Sequence, residues 1–196
     1  MKVVSFYTKD TNYESYANNL RDSMDKHKVS YKIYEVDNLG KWELNCGQKP
    51  MIIKWALECT DDDIFYVDSD ALFKRQPDWE VFEKQQVPSF AWFEWADKSK
   101  IELLSGSIFF PNNQLSKLIV DMWIVEQEKT PEEWDQRVLE RLVKENNIPH
   151  EKLPLEWVKV EDYMKWVSQP YIQHYQASRT EKRKINNQNP INGVPL

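Results

Sequence analysis

Glycine is scarce in this chain: four in 196 residues. There is no GxGxxG and no GxxxxGK[ST], so neither of the familiar Gly-rich phosphate cradles is present. Cysteine is scarcer still. Cys46 and Cys59 are too few for a disulfide framework or a Cys-based zinc site. The three histidines, His27, His150 and His174, make no HExxH. Positive charge is also in deficit, with 26 Lys+Arg against 32 Asp+Glu and a net charge of −6. Nucleic acid is therefore not expected as a partner, since phosphate backbones need a basic surface. Long apolar runs are missing. The most apolar late stretch, Leu118 to Val125, is cut by Asp121, far short of the ~20 residues of a membrane span. The apolar run at the amino terminus is too short for a signal peptide. These absences lead us to expect a soluble, intracellular, cytoplasmic protein with no transmembrane segment.

What is present is aromatic and apolar. Hydrophobic residues make up 41% and aromatic residues 13%, with nine Trp and nine Tyr, enough for a packed core and too apolar for a disordered chain. A length of 196 residues suits one domain. Val3 to Tyr7 reads as a strand, and Thr11 to Glu14 has capping-box spacing. Tyr13, Tyr16, Ala17, Leu20 and Met24 recur at helical spacing. Ser30 to Val36 reads as a second strand. Lys49-Pro50 opens a helix with an expected buried stripe of Ile52, Trp55, Ala56 and Cys59. Ile64 to Val67 is a third strand. The alternation predicts an α/β domain with a central, mostly parallel sheet and a Rossmann-like first half. Later, Ser89 to Phe93 and Gly106 to Phe110 read as strands. Leu115, Leu118, Ile119, Met122 and Trp123 mark a helix, and Thr130-Pro131-Glu132-Glu133 reads as the start of another. From about residue 180 the chain turns polar. The expected division is a domain over 1–179 and a polar tail over 180–196, loose until a ligand orders it.

The segment richest in chemistry is Tyr66-Val67-Asp68-Ser69-Asp70-Ala71. An apolar strand runs straight into two carboxylates two residues apart, a spacing that turns both to one side in extended chain. Open α/β sheets bind ligands at the carboxyl ends of their strands. Two carboxylates this close repel one another unless a cation lies between them. Mn²⁺ or Mg²⁺ suits oxygen ligands and bridges to phosphates.

Phe6-Tyr7-Thr8, Lys49-Pro50, the Asp68-Ser69-Asp70 segment, Ser105-Gly106-Ser107-Ile108-Phe109-Phe110, Asp135-Gln136 and Ile172-Gln173-His174 occur in this order. Together the set resembles the GT-A-fold glycosyltransferases, over most of the chain from the first strand to about Arg179. The resemblance implies a single-domain GT-A fold and transfer of a sugar from a nucleotide-diphosphate sugar, UDP-linked by preference, to a hydroxyl of a glycan or glycoprotein. It implies metal ligation by Asp68, Asp70 and His174. Phe6, Tyr7 and Thr8 would hold the nucleoside, and Lys49 a phosphate or the ribose. Asp68, Ser69, Ser105, Gly106 and Ser107 would line the donor site. Asp135 and Gln136 would meet sugar or acceptor hydroxyls, the catalytic position. Arg179 or Lys182 would meet the diphosphate. Ala177-Ser178-Arg179 departs from the Lys-Pro-Trp that follows the late histidine in retaining members. His174 favours a retaining mechanism, but the residues leave retaining and inverting both open. Trp92 and Trp95 are acceptor-side candidates. Two rival readings remain. One is a module that binds sugar nucleotide or glycan without turnover. The other is an Asp-Xaa-Asp phosphatase, disfavoured because Leu72 stands where such enzymes carry Thr.

Overall fold

The computed structural model describes residues 1–98 and 100–188. Its centre is a six-stranded sheet in the order β2-β1-β3-β6-β5-β7. The strands are β1 (Lys2–Thr8), β2 (Tyr31–Val36), β3 (Ile64–Val67), β5 (Ser89–Glu94), β6 (Ile101–Phe110) and β7 (Glu151–Lys152). Only β6 runs against the others, pairing antiparallel with β3 and β5. A small second sheet, in the order β4-β9-β8, joins β4 (Ala71–Phe73), β9 (Ile172–His174) and β8 (Lys159–Val160).

The helices are α1 (Tyr13–Lys26), α2 (Trp42–Cys46), α3 (Lys49–Cys59), α4 (Gln114–Lys129), α5 (Asp135–Glu145) and α6 (Ser178–Gln188). The central sheet buries both faces, so β3 reads as four consecutive apolar residues, all buried. On one face, Val4, Ile64, Tyr66 and Ile108 pack against Ile52, Ile53, Ile119, Trp123 and Leu139 of α3, α4 and α5. On the other, Val3, Phe65, Val67 and Phe109 pack against Leu20 and Met24 of α1 and against the small sheet. The chain goes from β1 outward to β2 and returns to place β3 on the other side of β1. This switch opens a crevice at the carboxyl ends of β1 and β3, the place where such sheets bind ligands. No described helix is long and apolar enough to cross a membrane.

Several local expectations need correction. The buried face of α3 is Ile52, Ile53, Ala56 and Leu57, whereas Trp55 is 45% exposed and Cys59 is exposed. The helix is wedged between the sheet and α4, so two adjacent columns face inward rather than one. The helix expected from Thr130 begins at Asp135. Residues 130–133 close a turn, Glu133 N donating to Thr130 O at 2.9 Å, and Trp134 is extended. Gln127 Nε2 donates to Glu133 O at 2.9 Å and ties this turn to the end of α4. At α1, Thr11 Oγ1 accepts from Tyr13 N at 3.2 Å, while Asn12 at the cap makes no side-chain cap bond.

The tail drawn from residue 180 begins inside α6. That helix is held by Ala177 and Ile185, both buried, and by Glu181, which is 2% exposed. Glu181 accepts from Asn12 Nδ2 at 3.0 Å and pairs with Lys184 at 2.8 Å. Asn186 Oδ1 accepts from Trp42 N at 2.9 Å. Residues 180–188 are thus helical, with Glu181 tied to Asn12 at the start of α1 and Asn186 to Trp42 of α2. The rest of the expected tail, 189–196, lies outside the described residues.

Candidate active site

The crevice is built from element ends. β1 delivers Phe6, Tyr7 and Thr8; β3 delivers Tyr66 and then Asp68, Ser69 and Asp70; α3 begins with Lys49 and α5 with Asp135 and Gln136; β6 contributes Ser105. Ser178 at the start of α6 lines the same cleft.

Asp68, Asp70 and His174 bring one ligand atom each to within 4.8 Å of one another. The backbone fixes them. Asp68 N donates to Gly106 O at 2.8 Å, and Ala71 pairs with His174 across β4 and β9. Asp70 Oδ2 accepts from Ala177 N at 2.7 Å, and Asp70 Oδ1 faces His174 Nδ1 at 3.6 Å. His174 Nε2 lies 2.9 Å from Ser107 Oγ. With that nitrogen donating to the hydroxyl, Nδ1 carries a lone pair toward Asp70, the state a metal-ligating imidazole needs. Gly106 makes room for the ring: a Cβ there would stand 2.9 Å from His174 Cε1 and 3.4 Å from Asp68 Oδ2.

Behind this trio lies a buried charge relay. Lys49, only 3% exposed, places Nζ 3.0 Å from Asp68 Oδ1 and 2.7 Å from Asp135 Oδ2. Nζ also donates to Ser105 O at 3.2 Å and to Ser105 Oγ at 3.1 Å. Ser105 N donates to Gln136 Oε1 at 3.3 Å. Burial pulls the ammonium's pKa down, but Asp135 and Asp68 more than reverse this, so Lys49 stays charged. Asp68 keeps 36% of its side chain exposed. Burial raises its pKa and Lys49 opposes the rise, while Asp70 and Asp135 add to it. Tyr66 donates its hydroxyl to Asp68 Oδ1 at 2.8 Å, and its own pKa is pushed well up by burial and then by Asp68. Asp135 is 1% exposed, and its Oδ1 has no hydrogen-bond partner among the described residues. Lys49 thus serves two carboxylates, Asp68 and Asp135, and Asp70 adds a third beside Asp68, so the cluster carries two formal negative charges more than positive ones. A divalent cation matches that excess, and the donor set of carboxylate oxygens with one imidazole fits Mn²⁺ or Mg²⁺.

No protein-family model matches the sequence, and no curated protein matches it. Solved structures do match. A glycosyltransferase involved in glycosylation of the major capsid of PBCV-1 superposes with a TM-score of 0.68 at 14% identity, over 97% of this chain and 98% of that one. The apo form of the glycosyltransferase GlyE of Streptococcus pneumoniae TIGR4 gives 0.60 at 18% identity, over 89% of this chain and 54% of its own. The bifunctional glycosyltransferase WbbM gives 0.60 at 12% identity, over 98% and 50%. The fold is a glycosyltransferase fold. The chain spans about half the length of GlyE and of WbbM.

Within this glycosyltransferase fold, Phe6, Tyr7, Thr8, Lys49, Asp68, Ser69, Asp70, Ser105, Asp135 and Gln136 all line one cleft. Gly106, Ser107 and His174 stand at its end beside Asp68 and Asp70. Arg179 and Lys182 do not line it. Arg179 Nη1 pairs with Asp162 at 2.6 Å, and Lys182 pairs with Glu43 at 2.5 Å while lying 4.8 Å from the centre of the Trp42 ring. Both cations fasten α6 to the body of the domain. Trp92 faces away from the cleft and donates through Nε1 to His150 Nε2 at 3.0 Å. The sequence reading missed Trp42 and Trp134 in the cleft's aromatic wall. Trp42 Nε1 donates to Tyr13 Oη at 3.0 Å, and Trp42 and Trp134 pack at 5.7 Å between centroids. The sequence offers Tyr7 or Tyr13 as the flat wall for a nucleobase, with Tyr13 favoured for its helix stripe, and both line the cleft. No local motif marks Trp42, which opens a helix of five residues, and Trp134 reads from sequence as part of the apolar face of the helix after Thr130 but stands at the N-cap of α5.

Proposed function

We propose that this chain is a metal-dependent glycosyltransferase using a nucleotide-diphosphate sugar, UDP-linked by preference, and a glycan or glycoprotein hydroxyl as acceptor. The observation that carries the reading is the convergence of Asp68, Asp70 and His174 at the crevice of a glycosyltransferase fold, with a buried Lys49 and Asp135 beside them. Phe6, Tyr7 and Thr8, with Tyr13 and Trp42, offer the flat wall and strand end that a nucleoside needs. Asp68, Asp70 and His174 would hold the cation. When bound, that cation would supply positive charge against the departing diphosphate.

In the reaction the acceptor oxygen forms a bond to the anomeric carbon. The bond from that carbon to the diphosphate oxygen breaks, the nucleoside diphosphate leaves with the electron pair, and the acceptor proton passes to the departing diphosphate or to solvent. Lys49 holds Asp68 and Asp135 at fixed positions, so little reorganisation is needed as charge shifts. Asp135, which lines the cleft and whose buried Oδ1 has no partner among the described residues, would accept from a sugar or acceptor hydroxyl. Gln136 lies beside it in the first turn of α5.

Incubation with a panel of UDP- and GDP-sugars plus Mn²⁺ tests the reading. Release of nucleoside diphosphate from one donor, stopped by EDTA, is expected. A module without turnover would bind donor and release nothing.

Gly106→Ala probes the same corner. The added Cβ meets the His174 ring at 2.9 Å. A shift of the ring should cost about 1–3 kcal/mol of stability, as overpacking does, and should weaken Mn²⁺ affinity as well. Calorimetric titration with Mn²⁺ and a thermal melt separate the two effects. Wild-type Mn²⁺ affinity in the variant would count against His174 as a ligand.

A further inference from the structure

A second aromatic group stands outside the cleft. Phe93 and Trp95, at and just beyond the end of β5, meet Tyr163 and Trp166 from the turns after β8. Phe93 packs edge-on to Trp95 at 5.3 Å and against Tyr163 at 4.9 Å. Trp95 and Tyr163 are 5.2 Å apart, and Trp166 lies nearly parallel to Phe93 at 6.0 Å and 18°. Core packing does not account for Trp166, which is 64% exposed. Phe93 is buried and Trp95 and Tyr163 are half-buried against the core, so the exposed Trp166 extends a ring cluster out to the surface, as a binding patch does.

Three connections through strand register, a backbone hydrogen bond and an ion pair tie the group to the cleft. Phe93 pairs with Glu102, four residues before Gly106 on β6, a distance of about 14 Å at 3.4 Å per residue. Glu161 N donates to His174 O at 3.1 Å, so Tyr163 is carried two residues from the backbone that holds His174. Arg179 pairs with Asp162 and directly follows Ser178, which lines the cleft. Asp162 and Arg179, paired at 2.6 Å, and Glu102, opposite Phe93 across the sheet and paired with Lys100, put polar groups beside the rings. Burial raises the Tyr163 phenol pKa to about 12, with Glu102 adding to the rise and Arg179 opposing it.

Flat rings with carboxylates and a guanidinium beside them suit a pyranose. The sugar's C–H face meets the ring and its hydroxyls meet those polar groups. A monosaccharide whose hydroxyl reacts at the cleft would be too short to reach this patch as well. We propose that Trp166, Trp95 and Tyr163 form an acceptor platform that makes an oligosaccharide, rather than a monosaccharide, the acceptor of this cleft. The proposal rests on the transferase reading above.

Saturation-transfer NMR tests it, with cellotriose, maltotriose and glucose as probes and with UDP and Mg²⁺ present in place of paramagnetic Mn²⁺. Transfer to the ring protons of a trisaccharide and not to glucose is expected. Trp166→Ala, a change at an exposed site, should weaken trisaccharide binding about five- to tenfold, the worth of one lost ring contact, and leave UDP affinity unchanged. Trp95→Leu should weaken it in the same direction. No trisaccharide binding by the wild type, or equal binding by the variants, overturns the platform. Trisaccharide binding without any binding of UDP and Mg²⁺ would instead remove the transferase reading, and the acceptor role with it.

Discussion

Lys49→Met is expected to destabilise the protein by about 3–5 kcal/mol, the usual cost of stripping one partner from a buried ion pair. For a chain of this size that lowers Tm by roughly 6–20 °C. The size follows from what remains. Asp135, at 1% exposure, loses the one cation paired with it among the described residues, and Asp68 keeps a buried negative neighbour without compensation. The deficit should depend on pH. A carboxyl whose folded-state pKa is raised favours the folded state when protonated, and that contribution is lost as pH rises through the folded value. Asp68 is already raised by burial, and removing Lys49 removes the effect that opposes the rise. The gap between variant and wild type should therefore be wider at pH 7.5 than at pH 5. Thermal melts at the two pH values check this. Adding Asp135→Asn to Lys49→Met should restore part of the loss. A variant that melts with the wild type at both pH values would show that the ion pair carries no structural load.

Asp70→Asn is expected to lower turnover by at least about 10²–10³-fold, the cost of losing one preorganised electrostatic contact to a transition state. The fold should survive. An amide oxygen can still accept from Ala177 N, which now sits 2.7 Å from Asp70 Oδ2. What is lost is one anionic oxygen of the trio. Steady-state rates at saturating Mn²⁺, with circular dichroism and apo Tm as controls, separate chemistry from folding. Unimpaired turnover would remove Asp70 from the metal site. The pair of variants is informative together: Lys49→Met should act on stability first, and Asp70→Asn on rate alone.

The central segment was legible because its signal is local and chemically odd. Four apolar residues lead into two carboxylates, and β3 (Ile64–Val67) lies where the sequence put it. Asp135 and Gln136 were also named, although the helix they open begins four residues after its expected start region. There Thr130 and Pro131 form a turn held by Gln127, through a bond across six residues that capping rules do not cover. The small sheet was not legible. β8 has two residues and β9 three, too few for a period-2 pattern. They exist because β4 (Ala71–Phe73) continues the chain past Asp70 and offers an edge to pair with. This edge is what brings His174 to the carboxylates. Helix α6 was misread for a related reason: its sequence is polar, and its anchor is a buried glutamate, Glu181, joined to Asn12 across the chain.

The most direct test is to locate Mn²⁺ by its anomalous scattering in crystals grown with UDP and MnCl₂. The account predicts an anomalous peak bounded by Asp68, Asp70 and His174, with diphosphate oxygens completing its coordination and the nucleoside against Phe6, Tyr7 and Thr8. UDP bound in the cleft with no manganese at these three side chains, or manganese held elsewhere, would contradict it.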